Sequence, residues 1–215
     1  MKILLIRHGK SVMKWETRYT SEEYNKACEE YDNAGIFPID AAQDTGDYER
    51  ICVSTKKRAV QTAKQLFPSA PEDMIRQTPL LDEVPLRAFD SSPKKRPRWV
   101  YELMGRLQWR FGSGQDESYG ETKVRADRLI EEIEKENRNV ILVSHGFFLE
   151  VLLRRLKKRG RYEVYRSSLI GIAPLEKIRV IDKQPHCGGC RHNCPLKNPG
   201  CVIGQDKAAL LNHSP

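Results

Sequence analysis

The amino-acid sequence predicts an α/β fold with three layers, α/β/α, around a mostly parallel central sheet. Two short apolar runs, residues 2–6 and 139–143, each lead into a histidine followed by glycine, at His8 and His145. Uninterrupted apolar runs of this length are typical of parallel strands that are covered on both faces. Because ligands bind beyond the carboxyl ends of such strands, we expect the two histidines to meet in one pocket.

A first helix is predicted after the opening strand. Thr20 and Glu23 stand at the spacing of a capping box, in which each side chain accepts a hydrogen bond from the backbone of the other residue. Apolar residues then recur at helical spacing, and Gly35 supplies a stop. The pattern therefore predicts a helix over residues 21–34.

A second strand-to-helix corner is predicted in the next part of the chain. Residues 50–53 form a short, largely apolar run, and Ser54 or Thr55 is the expected N-cap of the helix that follows. This helix covers residues 56–66 and ends before a proline. A short strand is expected around residues 74–79.

Residues 91–118 break this alternation and are predicted to form a helical lid inserted in the α/β frame. Prolines and a basic cluster begin the segment, and Trp99, Leu103 and Leu107 follow at four-residue spacing, which is helical. We interpret Trp99 and Trp109 as packing residues of the lid, and a role in substrate specificity is the alternative, because the lid is expected over the pocket. The interleaved aromatic and basic residues of a nucleic-acid surface do not surround them.

The remaining elements of the sheet domain follow the lid. A helix is predicted over residues 119–136, because apolar residues line one of its faces and charges of both signs line the other. It leads into the strand over residues 139–143, and another helix is expected after His145. We interpret residues 167–173 and 177–181 as a closing hairpin or as adjacent edge strands.

Length and composition favour one main domain with an appendage. The chain has 215 residues, of which 39% are hydrophobic, enough for one substantial core. Near Lys183 the composition turns to Cys, Gly, Pro and Asn. We therefore predict a main domain over residues 1–182 and a Cys-rich tail over residues 183–215. With no signal-peptide core and no bilayer-spanning run in the sequence, we expect a cytoplasmic protein without a membrane partner.

Basic residues outnumber acidic ones by 37 to 29, which gives a net charge of +8. This balance favours an acidic partner such as a phosphoester, a nucleic acid or an anionic surface. Six basic residues follow the strand before His145: Arg154, Arg155, Lys157, Lys158, Arg159 and Arg161. We interpret them as a solvated helix face, so nucleic acid is not the expected partner.

The expected pocket holds the groups that phosphoryl transfer without a metal requires, namely a nucleophile, fixed cations and an acid. His8 can attack phosphorus as a neutral imidazole, a form that nearby arginines favour. Arg7 and Arg58 are candidates to bind the phosphoryl oxygens, and His145 is a candidate for a further donor. Glu83 is the candidate acid for the leaving oxygen and the base that then activates water.

Four segments, in order, resemble the histidine phosphatase superfamily, also called the phosphoglycerate-mutase-like family. They are Leu-Ile-Arg-His-Gly-Lys-Ser over residues 5–11, Ser-Thr-Lys-Lys-Arg-Ala-Val-Gln-Thr-Ala over residues 54–63, Glu83, and Val-Ser-His-Gly over residues 143–146. Each segment alone is a weak signal, but the set is specific. The resemblance covers roughly residues 1–182.

The resemblance implies a role for each of these residues. His8 is implied as the phosphorylated nucleophile and Glu83 as the acid and base. Arg7, Arg58 and His145 are implied to form the phosphate pocket. It further implies a metal-independent phosphatase that hydrolyses phosphomonoesters and needs no cofactor. We expect the substrate to be a small phosphorylated metabolite or a phosphoprotein.

Three departures from the family pattern bear on the substrate, and one is the absence of the Gly-x-Trp-x-Gly segment that is common among the broad phosphatases. Lys14 stands where the mutases usually have an asparagine that touches the phosphoryl group, and Val-Pro-Leu follows Glu83 where the mutases have Arg-x-Tyr-Gly. A phosphoglycerate-type mutase is therefore the second candidate, behind a phosphatase. Ser11 and Lys14 are predicted as further substrate contacts, and a local turn is the alternative role of Ser11.

Six cysteines are present, and four of them crowd the tail: Cys187, Cys190, Cys194 and Cys201. Four thiolates suit tetrahedral zinc or an iron-sulfur cluster, and disulfides or free thiols are the alternatives. The tail therefore gives a third candidate function, a metal or redox sensor whose phosphatase-like domain only binds ligands. Cys28 and Cys52 stand apart and are interpreted as buried structural thiols.

Overall fold

The structure contains most of the strands and helices that the sequence predicts. The computed structural model describes residues 1–112, 114–159 and 162–167. In chain order the elements are β1 (Lys2–Arg7), β2 (Arg18–Tyr19), α1 (Ser21–Asn33), β3 (Arg50–Val53), α2 (Lys57–Leu66), β4 (Ile75–Gln77), β5 (Arg96–Pro97), α3 (Arg98–Phe111), α4 (Tyr119–Glu136), β6 (Val140–Ser144), α5 (Gly146–Arg159) and β7 (Glu163–Ser167). Single turns of 3₁₀ helix, Glu72–Met74 and Pro79–Leu81, flank β4.

Five strands form one parallel sheet in the order β4-β3-β6-β1-β7. β1 pairs with β6 so that Arg7 lies opposite Ser144. His8 and His145 are the next residues along the two strands, so they leave the sheet side by side at its carboxyl edge. The predicted α/β class with a mostly parallel central sheet is confirmed.

Helices cover both faces of the sheet, because successive side chains of a strand point to opposite sides. One face packs against α4 and α5 in a buried cluster that includes Ile3, Leu5, Leu129, Leu142 and Phe148. The other face packs against α2 in a cluster that includes Leu4, Ile6, Ala59, Ala63 and Ile141. Burial of each large apolar side chain stabilises the fold by about 1.5–3 kcal/mol. The sheet therefore holds its carboxyl edge, and the two histidines, rigidly in place.

Two helices begin with a capping box. Thr20 and Glu23 form the predicted box at the start of α1, and Ser118 and Glu121 form another at the start of α4. Their side chains accept hydrogen bonds from backbone N–H groups that a helix end leaves without partners. These local bonds fix the positions at which both helices begin.

The start of α2 differs from the prediction. Its N-cap is Lys56, whose side chain makes no capping bond, and not Ser54 or Thr55. Both hydroxyls donate instead to the carboxylate of Asp82, at 2.7 Å each. An ionised acceptor forms stronger hydrogen bonds than a neutral one, so the two side chains tie the end of β3 to the segment after β4.

The predicted lid consists of α3 and of β5, which pairs with β2. Trp109 packs inward, and its indole N–H donates to Thr122 at 2.9 Å. Trp99 is 63% exposed, so the packing role predicted for it is not observed. The buried residues of α3 are Tyr101, Gly105 and Trp109. Trp99 lies about 200° around the helix from Tyr101, on the outer face.

β7 is a strand that the sequence analysis missed. It follows α5 and pairs in parallel with residues 2–6 of β1. The strands predicted at residues 167–173 and 177–181 begin at its last residue or beyond it. Residues 168–215, and with them the predicted Cys-rich tail, lie outside the described residues. Of the helices described, none is long and apolar enough to cross a membrane.

Two residues of the basic run, Arg155 and Arg159, pair with acidic side chains of α4, and Arg161 lies outside the described residues. Arg155 lies 2.6 Å from Asp127, and Arg159 lies 2.8 Å from Glu134. Such partly exposed ion pairs add little stability, but they neutralise part of the charge of this helix face. The interpretation of the run as a solvated face, and not as a nucleic-acid surface, agrees with these pairs.

Candidate active site

His8 is fixed by backbone groups at the end of β1. Its backbone N–H donates to the Ser144 carbonyl oxygen at 2.9 Å, and its ring Nδ1 lies 2.7 Å from the Gly9 carbonyl oxygen. Because a carbonyl oxygen only accepts, Nδ1 carries the proton, and the lone pair of the neutral ring is on Nε2. Nε2 is therefore the atom of His8 that can attack an electrophile.

Burial and neighbouring positive charges keep His8 neutral. The pKa of His8 falls to about 4, first because burial disfavours the imidazolium and further because of the Arg58 and Arg7 charges. The hydrogen bond to the Gly9 carbonyl opposes this shift only in part. At neutral pH the ring is therefore in its nucleophilic form.

Arg58 brings a fully buried guanidinium to the same edge of the sheet. Nη1 donates to the Tyr31 carbonyl oxygen at 2.7 Å, Nη2 lies 3.3 Å from an Asp32 carboxylate oxygen, and the guanidinium lies 4.2 Å from the centre of the Tyr31 ring. Nε is buried and has no partner among the residues described. Arg58 thus keeps a donor available for an anion while its other bonds fix its position.

His145 lies against His8, with the two ring centres 4.9 Å apart. Its Nε2 is 2.8 Å from Ser54 Oγ, and that hydroxyl donates its only proton to Asp82 at 2.7 Å. Ser54 therefore accepts from His145, so Nε2 carries the proton and Nδ1 bears the lone pair. Within the described chain, Nδ1 of His145 is buried without a hydrogen-bond partner.

This tautomer decides what His145 can do. Burial, and then the charge of Arg58, lower the pKa of His145 strongly, so the ring is neutral in the free protein. Nδ1 can donate to a phosphoryl oxygen only after it takes up a proton. A phosphoryl dianion beside the ring favours that uptake, because an adjacent negative charge stabilises the imidazolium.

Glu83 lies at the amino end of α5, the helix that begins directly after His145. Its carboxylate accepts hydrogen bonds from the backbone N–H groups of Val84 at 2.9 Å, Phe148 at 3.1 Å and Phe147 at 3.4 Å. These bonds hold the carboxylate close to the turn that carries His145. Glu83 is thereby in position to exchange a proton with a group that is bound between its carboxylate and His145.

A cavity of about 840 Å³ opens at this edge of the sheet. Arg7, Arg58, Glu83 and Gly146 line it, as do residues of α1 and of the lid helix α3.

Cys28 also lines the cavity and is only partly buried, unlike Cys52, so the sequence interpretation of Cys28 as a buried thiol is wrong. Burial raises the pKa of the Cys28 thiol to about 11, which leaves it protonated and weakly nucleophilic.

Ser11 and Lys14 are not brought to this cavity. Ser11 Oγ accepts the backbone N–H of Met13 at 3.2 Å, which is a local turn. Lys14 is exposed, and neither residue lines the cavity. Their role as substrate contacts stays a prediction. The two histidines do not line the cavity either, but they lie near the charges of Arg7 and Arg58, which do line it.

Three features of the site were missed in the sequence analysis. They are the stacking of Tyr31 under Arg58, the link from Ser54 to Asp82, and the guanidinium of Arg106 in the cavity. The first two join distant segments, so local patterns carry no sign of them. Arg106 could have been found, because it shares a helix face with the inward-facing residues Gly105 and Trp109 of α3.

No group of three or more His, Cys, Asp or Glu side chains suited to a metal ion occurs in the part of the chain that the structure describes. The predicted tail ligands, Cys187, Cys190, Cys194 and Cys201, lie outside it. The metal expected in the tail therefore stays a prediction.

Acidification is expected to destabilise the protein through His8. Between its ordinary pKa of 6.5 and its folded pKa of about 4, the unfolded chain binds a proton at His8 and the folded chain does not. Stability therefore falls as the pH falls through this window, by roughly 2–3 kcal/mol from this one group. Denaturant unfolding at pH 7 and pH 4.5 should show a smaller loss in His8→Asn than in the wild type. Equal losses would contradict the assigned burial.

The comparisons with known proteins come from sequence and from structure. The sequence model of the histidine phosphatase superfamily (branch 1) matches residues 38–189, which is more than half of the chain. A search of curated proteins finds no match. Of the solved structures, a putative alpha-ribazole-5'-P phosphatase from Escherichia coli is similar at 18% identity and a TM-score of 0.47, over 71% of this chain and 78% of that one.

A phosphoserine phosphatase from Entamoeba histolytica, solved with 3-phosphoglyceric acid, is similar at 17% identity and a TM-score of 0.44, over 72% of this chain and 79% of that one. The product of an open reading frame from Mycobacterium tuberculosis is similar at 20% identity and a TM-score of 0.45, with the same coverage of 72% and 79%. The family assignment does not depend on these structures. With the family model matching most of its length, the chain belongs to the histidine phosphatase superfamily and is a phosphatase of the hydrolase class.

Proposed function

We propose that this phosphatase hydrolyses phosphomonoesters through a phosphohistidine on His8. The observation that carries the proposal is the state of His8, a buried neutral imidazole whose proton is on Nδ1, 2.7 Å from the Gly9 carbonyl oxygen. The ring, whose free lone pair is on Nε2, lies near the charges of Arg58 and Arg7, with its centre 4.9 Å from that of His145. A nucleophile held next to fixed cations is the arrangement that phosphoryl transfer needs.

The first step forms the phosphoenzyme. Nε2 of His8 attacks phosphorus, the Nε2–P bond forms, and the bond from phosphorus to the leaving oxygen breaks. Arg7 and Arg58 stabilise charge on the oxygens that remain on phosphorus. Glu83 gives its proton to the leaving oxygen, which departs as an alcohol.

The second step returns the enzyme to its first state. The Glu83 carboxylate takes a proton from water, the oxygen of that water attacks phosphorus, and the Nε2–P bond breaks. Inorganic phosphate leaves, and Glu83 is again protonated for the next turnover. The residues named supply the nucleophile, the positive charge and the proton transfer, so no cofactor enters the proposed steps.

Release of phosphate tests this function. The protein, treated with a chelator, is incubated with a panel of phosphomonoesters that includes an aryl phosphate, and inorganic phosphate is measured beside the alcohol. We expect the two products in equal amounts. Isomerised phosphoesters without free phosphate would favour the mutase, and binding without any turnover would favour the sensor function.

We also propose that residues 183–215 form a unit separate from the catalytic domain. Three of the tail cysteines, Cys190, Cys194 and Cys201, lie beyond residue 189, where the family match ends. None of the residues assigned to the two steps above lies in this tail.

The tail is expected to bind zinc or iron without a part in turnover. Full-length protein prepared without oxygen should contain one of these metals, and the metal should be lost when Cys187 and Cys190 are both replaced by serine. Turnover should stay within about twofold, because ligation energy orders only the segment that holds the ligands. A chain that ends at Asp182 should also keep most of its activity. A metal-free full-length protein would rule out ligation, and a folded but inactive shortened chain would rule out the separate unit.

A further inference from the structure

Arg106 places a further guanidinium in the cavity, on the lid helix α3. Its Nε and Nη1 are buried and have no hydrogen-bond partner within the described residues. The guanidinium lies 3.6 Å from the centre of the Phe147 ring and 5.7 Å from the centre of the Trp109 ring. Two aromatic rings thus hold the cation, while donor atoms on it stay unused.

Apart from Arg7, Arg58 and Arg106, the cations that line the cavity form ion pairs with carboxylates. Lys56 lies 2.7 Å from Asp32, Arg98 lies 3.1 Å from Glu102, and Arg125 lies 2.8 Å from Glu117. No such ion pair is present for Arg106 in the part of the chain described. Burial lowers the pKa of Arg106, yet a guanidinium stays charged in proteins. The Glu83 charge opposes this shift but forms no ion pair with Arg106 among the described residues, and buried donors without partners destabilise the fold. The unused Nε and Nη1 donors of Arg106 therefore need an explanation outside the fold.

The backbone holds Arg106 at this position. A Cβ on the preceding residue, Gly105, would lie 2.5 Å from Leu86 Cδ1 and 3.2 Å from the Arg87 carbonyl oxygen. The absence of a side chain there lets α3 approach the segment that follows Glu83. Phe147, under the guanidinium, also donates its backbone N–H to Glu83. Arg106 is thus close to Glu83, the proposed acid. Because Glu83 protonates the leaving oxygen in the proposed first step, Arg106 is on the leaving-group side of the cavity.

We propose that Arg106 binds a second anionic group on the leaving-group side of the substrate. The group is a carboxylate or a second phosphoryl group, since the planar donors of a guanidinium match the oxygens of either. Two cation sites then share the cavity: Arg7 and Arg58 for the phosphoryl group that is transferred, and Arg106 for the rest of the substrate. This inference rests on the proposed phosphatase function and names its substrate class.

Three substrates of equal chain length test the second site. They are 3-phosphonooxypropanoate, its neutral carboxamide, and propane-1,3-diol bisphosphate. We expect the wild type to prefer both anionic compounds over the carboxamide in kcat/KM by about 10-fold to 100-fold, the size of a hydrogen bond to a charged group. The ratio between the carboxylate and the bisphosphate shows which anion the site takes.

Arg106→Gln should remove this preference, because the contact to the second anion is lost, and kcat/KM should fall more for the two anionic compounds than for the carboxamide. The variant is expected to fold, since it removes an unpaired buried charge. Arg110→Gln is the matched control. Arg110 lies on the same helix, is exposed, and stacks on Tyr119 at 4.8 Å, so the control makes the same change in net charge and should keep the preference.

Binding to the His8→Ala protein separates this inference from the proposed function. The His8→Ala protein lacks the proposed nucleophile, so it cannot be phosphorylated by the three compounds, and calorimetry measures their affinities for it directly. We expect the anionic compounds to bind more tightly, and Arg106→Gln in the same background to remove the difference. Equal affinities in the His8→Ala protein would overturn the second anion site even if hydrolysis occurs. Tight, Arg106-dependent binding without hydrolysis in the wild type would overturn the phosphatase function alone. An equal loss for all three compounds in Arg106→Gln would mean a structural role.

Discussion

His8→Ala is expected to lower kcat/KM for phosphomonoester hydrolysis by at least about 10⁴-fold, because removal of a covalent nucleophile abolishes the route through the phosphoenzyme. His145→Gln is expected to cost less, about 10²-fold to 10³-fold, since it removes one stabilising donor and leaves the nucleophile in place. The measurement is steady-state phosphate release from the wild type and both variants. Thermal unfolding of each variant serves as the control for folding.

The difference between the two histidines is the informative part of this prediction. The structure gives the two rings opposite tautomers. The ring proton of His8 is on Nδ1, which donates to the Gly9 carbonyl oxygen, and the ring proton of His145 is on Nε2, which donates to Ser54 Oγ. Each neutral ring keeps one lone pair, on Nε2 of His8 and on Nδ1 of His145, so the tautomers alone do not choose the nucleophile. The covalent bond is assigned to His8 by the family resemblance, and the two variants test that assignment. Substantial activity in His8→Ala, or a larger loss in His145→Gln than in His8→Ala, would contradict the assignment.

Glu83→Gln is expected to slow the hydrolysis of alkyl phosphates by about 10²-fold to 10⁴-fold, the usual contribution of a general acid. An alkoxide leaves poorly without a proton, whereas a nitrophenolate hardly needs one. The same variant should therefore lose less than about tenfold with p-nitrophenyl phosphate in the phosphorylation step. Single-turnover rates with both substrate classes measure this difference.

Asp82→Asn is the matched control, because Asp82 adjoins Glu83 and carries the same functional group. Its carboxylate accepts bonds from Ser54 and Thr55, so its loss disturbs the support of His145 and should affect both substrate classes to the same degree. If Asp82→Asn showed the dependence on the leaving group and Glu83→Gln did not, the acid would be Asp82.

The elements predicted well from the sequence are those set by local signals. The apolar runs of β1 and β6 and the capping box at Thr20 depend on neighbouring residues, and the structure confirms them. The pairing of Arg7 with Ser144 then follows from the parallel arrangement, so the meeting of His8 and His145 could be anticipated.

The features that escaped prediction depend on contacts between distant segments. Ser54 looks like an N-cap, but Asp82, 28 residues away, takes its hydroxyl proton. The lid residues Trp99 and Trp109 look alike in the sequence, and only the packing of α3 on the frame decides that Trp109 is buried. Arg106 was overlooked because the apolar stripe Trp99, Leu103 and Leu107 indicated the inner face of α3, whereas the structure buries Tyr101, Gly105 and Trp109.

The most direct test of the account is to trap the phosphoenzyme. Wild-type protein is mixed with a ³²P-labelled phosphomonoester, quenched in alkali during turnover, and digested for peptide mass analysis. The account predicts a label that is stable in alkali, is released by acid, and lies on the peptide that contains His8 as one added phosphoryl group. A label on another residue would contradict the proposed phosphohistidine. So would hydrolysis of the substrate without any labelled protein after the quench, if the label is also absent from a Glu83→Gln variant incubated with labelled p-nitrophenyl phosphate.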